Sequence, residues 1–298
     1  MNANARALRA TTDRLRQERV PFVHARVVLA ERPTSAKPGD EAIVLADGTI
    51  EGFVGGQCAL ATLRAQGLAV LESRESTLLR IAPNPEPDQP GKTVVHNPCQ
   101  SGGTLEIFME PVLPAPLVRV LGTTPIGVAL AQVGDSLGYD VQPWDASAVN
   151  DLSMTDAVVV ASHGNGEEVT LEAAVRSGVP YIGLVASRKR GAAVLAALDL
   201  TDDEKSRIHT PAGLNIGART AEEVALSIFA EIIANRSDSP RESAAGSSIG
   251  TAVDPVCHMD VVMVPSSLHA DVEGTTWWFC CQGCLDRFVA NPSAFASA

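Results

Sequence analysis

Aromatic residues are scarce in this 298-residue sequence, making up 4% of it against 45% for hydrophobic residues as a whole. The cores must therefore be built mainly from Ala, Val, Leu and Ile. Positive charge is also in deficit, since the formal net charge is -12. A chain this acidic would repel phosphates instead of displacing their counterions, which argues against nucleic acid as a partner.

The sequence also lacks a long apolar run. No stretch approaches the ~18 residues of a membrane span, and the N-terminal segment has arginines but neither the apolar region nor the cleavage site of a signal peptide. We therefore expect an amphipathic surface helix there, no membrane span and a cytoplasmic protein. Because a reducing cytoplasm disfavours disulfides, clustering among the six cysteines indicates metal binding or catalysis.

The predicted fold class is α/β, in four consecutive segments. Residues 1–114 form a mixed α/β domain with mostly antiparallel strand pairs. In residues 115–236 short strands alternate with helices, which predicts a Rossmann-like domain with a parallel sheet. Residues 237–252 have the Ser/Ala/Gly-rich composition of a flexible linker. Residues 253–298 form a small α+β module that needs a bound metal for stability.

A glycine-containing loop follows the first strand of the second domain. Gly122 and Gly127 are the outer glycines of a dinucleotide-binding fingerprint, and Thr124 replaces the middle one. The helix that begins in this loop would offer its N-terminus to a phosphate, with Thr123 and Thr124 beside it. Asp145 lies 23 residues after Gly122, where a ribose-binding acid is expected. The alternative is a loop that only turns the chain.

Two further loops end strands at the same edge of the predicted sheet, where ligands bind in open α/β folds. His163 follows the strand DAVVVA and could hydrogen-bond a phosphate or donate a proton. Arg188 begins a run of three cations after the strand YIGLVA. Cations at a helix start oppose the helix dipole, which favours pairing with an anionic ligand. The alternatives are an ordinary loop histidine and a solvated helical turn.

Cys58 and Cys99 each lie in a glycine-rich turn. Cys58 precedes a predicted helix, and a thiol at a helix N-terminus has a lowered pKa and is a better nucleophile or soft-metal ligand. The alternative is two buried small hydrophobic residues. We predict a pair of reactive thiolates able to hold a sulfur-ligated metal, as in the molybdenum–pterin cofactor.

The remaining four cysteines crowd into the C-terminal module. Cys257, Cys280 and Cys284 supply three thiolates, and three to four sulfur ligands suit Zn²⁺ or Cu(I). Cys280 and Cys284 share one face of a helical turn, whereas Cys281 points elsewhere and is the weakest candidate for a fourth ligand. The alternative is a small docking domain whose cysteines are reduced core residues.

Several long motifs make the first four-fifths of the chain resemble the XdhC/CoxI family. They are GGQC from Gly55, NPCQSGGTLEIFMEP from Asn97, DAVVVASHG from Asp156, GLVASRKR from Gly183 and RIHTPAGLNIGARTAEEVALSIFAEI from Arg207. The module resembles a YHS domain of the TRASH-like metal-binding group. It matches in DPVCHM from Asp254 and in WWFCCQGC from Trp277.

The resemblance implies an accessory protein for xanthine dehydrogenase or aerobic carbon monoxide dehydrogenase, a non-catalytic chaperone more than an enzyme. It implies binding of molybdenum cofactor, as molybdopterin or its cytosine dinucleotide form, between the first two domains. It further implies sulfuration of that cofactor and its insertion into the molybdenum hydroxylase apoenzyme, with a cysteine desulfurase as a further partner. Cys58 occupies the family's motif cysteine, but Ala59-Leu60 stand where the family often has Val-Glu.

Two other functions stay open. An NAD(P)-dependent oxidoreductase would use Gly122, Gly127 and Asp145, although the first domain offers no convincing acid–base set for hydride transfer. A soft-metal or sulfur relay would act through the C-terminal module. Whether the chain forms a homodimer is also left open.

Overall fold

The structure is a computed structural model that describes residues 3–87, 89–97, 103–145, 152, 154–162, 164–236, 250–272 and 274–295. It divides into two compact units. One unit combines Met1–Pro114 with Pro240–Ala298, and the other is Ala115–Ser239. Within the described ranges, none of the helices combines the length and the apolar character that a membrane crossing requires.

The first domain is a six-stranded sheet with two helices. The strands run in the order β3-β2-β1-β6-β4-β5, and among the described residues only β4 and β5 pair in parallel. The helices and strands are α1 (Ala3–Gln17), β1 (Phe22–Ala30), β2 (Glu41–Leu45), β3 (Ile50–Gly52), α2 (Gln57–Ser73), β4 (Thr77–Ala82), β5 (Lys92–His96) and β6 (Leu105–Val112). The predicted mixed α/β domain is thus observed.

Helix α2 extends further than its sequence pattern indicates. The pattern predicts an end near Gln66, before Gly67, yet the helix continues to Ser73. Gly67 lies against Val44 of β2, and a Cβ at this glycine would come within 2.9 Å of the valine side chain. The glycine is therefore a close packing contact between helix and sheet and not a helix end.

The second unit is a parallel sheet of five strands in the order β11-β10-β9-β7-β8. Both β9 and β10 are buried along their whole length, as expected for strands covered by helices on both faces. The elements are β7 (Leu117–Leu121), α3 (Pro125–Ser136), β8 (Asp140–Trp144), β9 (Ala157–Val160), α4 (Glu167–Arg176), β10 (Tyr181–Leu184), α5 (Arg188–Ala197), α6 (Asp202–Ser206), β11 (Ile208–His209) and α7 (Ala221–Ala234). This is the predicted Rossmann-like sheet.

The local sequence predicts the start of α7 but not the short elements α6 and β11. Thr220 with Glu223 three residues on predicts a capping box at the start of α7. The structure confirms it, because Thr220 accepts a hydrogen bond from the backbone of Glu223 and that glutamate returns one. The short elements α6 and β11 are not evident in the sequence pattern. Two residues of β11 suffice because they pair with β10, a neighbour that only the fold supplies.

The C-terminal module consists of two hairpins and a helix. Its elements are β12 (Thr251–Val253), β13 (Asp260–Val262), β14 (Leu268–Val272), β15 (Thr275–Phe279), α8 (Gln282–Ala290) and a 3-10 turn (Pro292–Ala294). Residues 237–249 of the predicted linker lie outside the described residues. The module packs on the first domain, since Ala61 of α2 belongs to the same apolar cluster as Phe279 and Phe288.

Candidate functional site

The parallel sheet has a topological switch point between β7 and β9. From β7 the chain passes outward to β8 on one side, then returns to place β9 on the other side. The loops that leave β7 and β9 are therefore neighbours at the carboxyl edge of the sheet. In open α/β sheets ligands bind in the crevice at this position.

Gly122, at the end of β7, makes the close approach of these two loops possible. Its φ is +110°, and a Cβ would lie 2.4 Å from the carbonyl oxygen of Ala161. Gly127 is equally restricted, because its Cβ would lie 2.5 Å from the carbonyl oxygen of Gly122. The outer glycines of the motif thus let helix α3 and the two loops pack closely.

Thr124 is the N-cap of α3. Its hydroxyl oxygen accepts a hydrogen bond from the backbone N–H of Gly127 at 3.3 Å. The threonine that replaces the middle glycine of the fingerprint therefore stabilises the helix start. Asp145 is exposed directly after β8 and Arg188 is exposed at the start of α5. His163 lies outside the described residues, so its role stays a prediction.

Glu167 is the residue at this edge that the sequence did not single out. Its side chain is 1% exposed and its carboxylate accepts three hydrogen bonds. The donors are the Ser162 hydroxyl at 3.2 Å, the Gly164 backbone N–H at 2.8 Å and the Arg190 guanidinium at 2.6 Å. The sequence feature that could have pointed to Glu167 is its position in the first turn of a helix, directly after a glycine. An acidic residue there is favoured by the helix dipole. Glu167 holds the loop after β9 and neutralises Arg190.

This ion pair predicts a pH-dependent contribution to stability. Burial raises the pKa of Glu167, but hydrogen bonds from Arg190 and the Gly164 backbone together lower it below its ordinary value of 4.5. Because the folded pKa is the lower one, the stabilisation is complete above 4.5 and is lost as the pH falls through the folded pKa.

We expect the Glu167→Gln variant to lose about 1.5–3 kcal/mol of unfolding free energy at neutral pH, as for hydrogen bonds to a charged group. Chemical denaturation across a pH series would show the difference from wild type shrinking in acid. Glu168→Gln, at the exposed neighbouring position, is the control and should change little. A constant deficit at every pH would contradict the assignment of the effect to the carboxylate charge.

A second site is formed by four residues of the C-terminal module. Ligand atoms of Asp254, Cys257, Cys280 and Cys284 all lie within 4.8 Å of one another. The Sγ atom of Cys280 is 3.4 Å from that of Cys257 and 3.8 Å from that of Cys284. The structure thus brings together the three thiols that the sequence predicted as ligands, from the turn after β12 and from the start of α8.

Asp254 positions these thiols. It is fully buried, and its carboxylate accepts hydrogen bonds from three backbone N–H groups, of Val256 at 2.8 Å, Cys257 at 3.3 Å and Cys280 at 2.8 Å. The carboxylate therefore ties the first cysteine turn to the second across the module. The signal in the sequence was an Asp before a turn, since this side chain commonly accepts from the N–H two residues on.

The protonation of the cluster is uneven. The contact between the Cys257 and Cys280 thiols lowers the pKa of Cys257 and raises that of Cys280. Burial raises the pKa of Cys284. Cys280 and Cys284 therefore keep their protons more tightly than Cys257, and a bound metal cation would displace these protons because metal ligation requires thiolates.

The donor set fits a thiophilic metal ion. Four sulfurs bonded to one zinc ion at ~2.3 Å lie ~3.8 Å apart, close to the observed separations of 3.4 and 3.8 Å. Three thiols with a carboxylate would suit Zn²⁺, and three thiols alone would suit Cu(I). The residues present therefore fit the predicted metal, with Asp254 as holder of the turns or as fourth ligand.

Cys58 lies beside this cluster. Its Sγ atom and those of Cys280 and Cys281 are all within 4.8 Å of one another. The sequence had linked Cys58 with Cys99, which lies outside the described residues, and had ranked Cys281 as the weakest ligand. The meeting of Cys58 with the module depends on packing between distant segments, for which the sequence carried no signal.

Three families match the chain in consecutive segments. The XdhC and CoxI family matches residues 15–82, the XdhC Rossmann domain matches residues 118–232 and the YHS domain matches residues 252–298. The first two matches together cover more than half of the chain. The first two matches fall within the segments whose motifs indicated the same resemblance, and the YHS match begins one residue before the predicted module.

The individual relatives share less than 30% sequence identity with this chain. The chain is 26% identical to the uncharacterized protein YqeB of Escherichia coli over 256 residues, covering 76% of this chain and 46% of that protein. It is 28% identical over 158 residues to a Bacillus subtilis protein named as a probable xanthine dehydrogenase subunit, covering 45% of this chain and 47% of that protein. The chain thus spans about half the length of these relatives.

A solved structure is also similar. It is described as a xanthine dehydrogenase from Bacillus halodurans and is 15% identical to this chain. The match covers 82% of this chain and all of the other, with a TM-score of 0.37.

Proposed function

Because the chain belongs to the XdhC and CoxI family and carries a YHS domain, we propose that it is an accessory protein that helps to mature a molybdenum hydroxylase. In this proposal it binds molybdenum cofactor, assists its sulfuration and delivers it to the apoenzyme of a xanthine or carbon monoxide dehydrogenase type. A cysteine desulfurase would supply the sulfur. The cytoplasm is the proposed compartment, since it keeps thiols reduced.

The observation that carries this proposal is the switch point of the parallel sheet. There the turn at Gly122 and the loop held by Glu167 lie side by side, near the N-termini of α3 and α4. Helix N-termini attract anions, and the cofactor ends in a phosphate or a pyrophosphate. Arg188 and Lys189 are exposed at the start of α5, at the same edge, whereas Arg190 is already paired with Glu167.

The sulfur end of the cofactor is the proposed partner of Cys58. This residue is in the first turn of α2, where the helix N-terminus favours a thiolate. A bound molybdenum centre would supply the soft metal that this thiolate would hold. Cys99 stays a predicted second thiolate.

The test compares two charge reversals on exposed arginines. Arg188→Glu puts a carboxylate at the carboxyl edge of the sheet, and Arg176→Glu makes the same change at the C-terminal end of α4, at the opposite edge. We expect Arg188→Glu to weaken binding of molybdopterin released from a purified molybdenum enzyme by roughly tenfold or more, as for loss of about 1.4 kcal/mol. The bound pterin is measured by its fluorescence after oxidation.

Two results would count against this function. If both variants bound the pterin as tightly as the wild type, the anion site would not lie at the carboxyl edge of the sheet. Retention of a nicotinamide nucleotide, with no affinity for the pterin, would favour the oxidoreductase alternative instead. Asp145 is exposed after β8, where that alternative places the ribose-binding acid.

A further inference from the structure

Helix α2 and the C-terminal module share one apolar cluster, and this contact covers the face of the helix that carries Cys58. Ala61, one turn further along α2, is 5% exposed and belongs to the same cluster as Phe279 and Phe288 of the module. Val264 of the module lies beside Gly48, the turn residue between β2 and β3. The first domain and the module thus meet over a packed surface.

At the edge of that surface the sulfur atoms form two groups. Cys257 and Cys284 lie with Cys280 and Asp254, whereas Cys58 and Cys281 lie with Cys280 alone. Within the described residues all five cysteines are thiols. The 3.4 Å from Cys257 to Cys280 is far beyond the ~2.05 Å of a disulfide.

Five sulfurs exceed the four positions of one tetrahedral ion. A single ion at ~2.3 Å from each ligand needs all ligand atoms within ~4.6 Å of one another, and the two groups share only Cys280. Three converging sulfurs suit a three-coordinate d¹⁰ ion such as Cu(I), and a thiolate can bridge two such ions. The group that contains Cys58 therefore has the composition of a separate site.

We infer that Cys58, Cys280 and Cys281 form a second metal site, completed by the first domain and joined through the sulfur of Cys280 to the site within the module. The full chain then holds two thiophilic ions, one in each group of thiols. This inference does not rest on the proposed function. Where that function also holds, metal loading and molybdenum compete for the Cys58 thiolate.

The experiment counts ions bound to the full chain. Cd²⁺ is the probe because it is thiophilic, redox-inert and absorbs through thiolate-to-metal charge transfer. The reduced chain is titrated with Cd²⁺, and metal and protein are then measured after gel filtration. The wild type is expected to retain two equivalents, whereas Cys58→Ser and Cys281→Ser should each retain one and lose part of the charge-transfer absorption.

The two variants make the count decisive. They remove thiols from different parts of the chain, so misfolding of one does not explain the same loss in the other, and circular dichroism checks each fold. Alkylation mapped by mass spectrometry adds an independent readout. The second equivalent of Cd²⁺ should protect Cys58 in the wild type but not in Cys281→Ser. Any other pattern of ion counts, or protection of Cys58 that persists without Cys281, would overturn the inference.

Discussion

Replacing Gly122 by alanine is expected to lower the free energy of unfolding of residues 115–239 by about 2–6 kcal/mol. Two costs add here. A non-glycine residue at a φ of +110° is strained, which costs about 1–3 kcal/mol. The new Cβ would also lie 2.4 Å from the carbonyl oxygen of Ala161, and overpacking of this kind costs about 1–3 kcal/mol.

Gly138→Ala separates the two costs. Gly138 also has a positive φ, +78°, but its Cβ would have no neighbour within 4 Å. We expect only the strain cost there, about 1–2 kcal/mol. Hydrogen exchange of peptides that cover β7 and β9, under increasing denaturant, would measure the stability of this unit. Equal losses in both variants would show that the approach of the two loops is not tight.

The Asp254→Asn variant is expected to weaken metal binding by about 10–100-fold, the usual effect of removing a residue that orients the ligands. Its side chain keeps the shape of aspartate but replaces one acceptor oxygen by an N–H donor. Three backbone N–H groups point at the carboxylate, so at least one of them would face a donor. A buried donor left without an acceptor costs about 1–3 kcal/mol.

Competition with a chelator would measure the affinity, and thermal unfolding of the metal-free chain would measure the structural cost. Asp260→Asn is the control, because Asp260 is an exposed carboxylate of the same module. It makes the same change of charge without touching the cysteine turns. If Asp254→Asn bound metal as tightly as Asp260→Asn, the role of Asp254 as holder of the turns would be wrong.

Local patterns predicted most of the secondary structure. The strand-like run Phe22–Ala30 is observed as a strand, and the start of α7 follows from a threonine with a glutamate three residues on. These patterns involve residues that are close together in the sequence, so they can be recognised from the sequence alone. The end of α2 was misjudged because Gly67 makes its contact with Val44, which lies on a different element.

The candidate sites divide in the same way. Cys257, Cys280 and Cys284 were predicted as one cluster because their spacing and crowding are visible in the sequence. The sequence did not identify Glu167 and Asp254 as the residues that hold their loops. This role of a buried carboxylate becomes visible only when the hydrogen-bond donors around it are known. Those donors come from residues up to 26 positions away.

The sequence by itself determined the α/β class and the cysteines of the C-terminal site, because periodicity, turns and cysteine spacing are local properties. Only the tertiary structure decided that Cys58 lies with Cys280 and Cys281. The apolar cluster shared by Ala61, Phe279 and Phe288 brings those thiols together. The burial of apolar surface that favours such a contact is non-directional and requires no fixed spacing between the residues in the sequence. It therefore leaves no pattern along the chain.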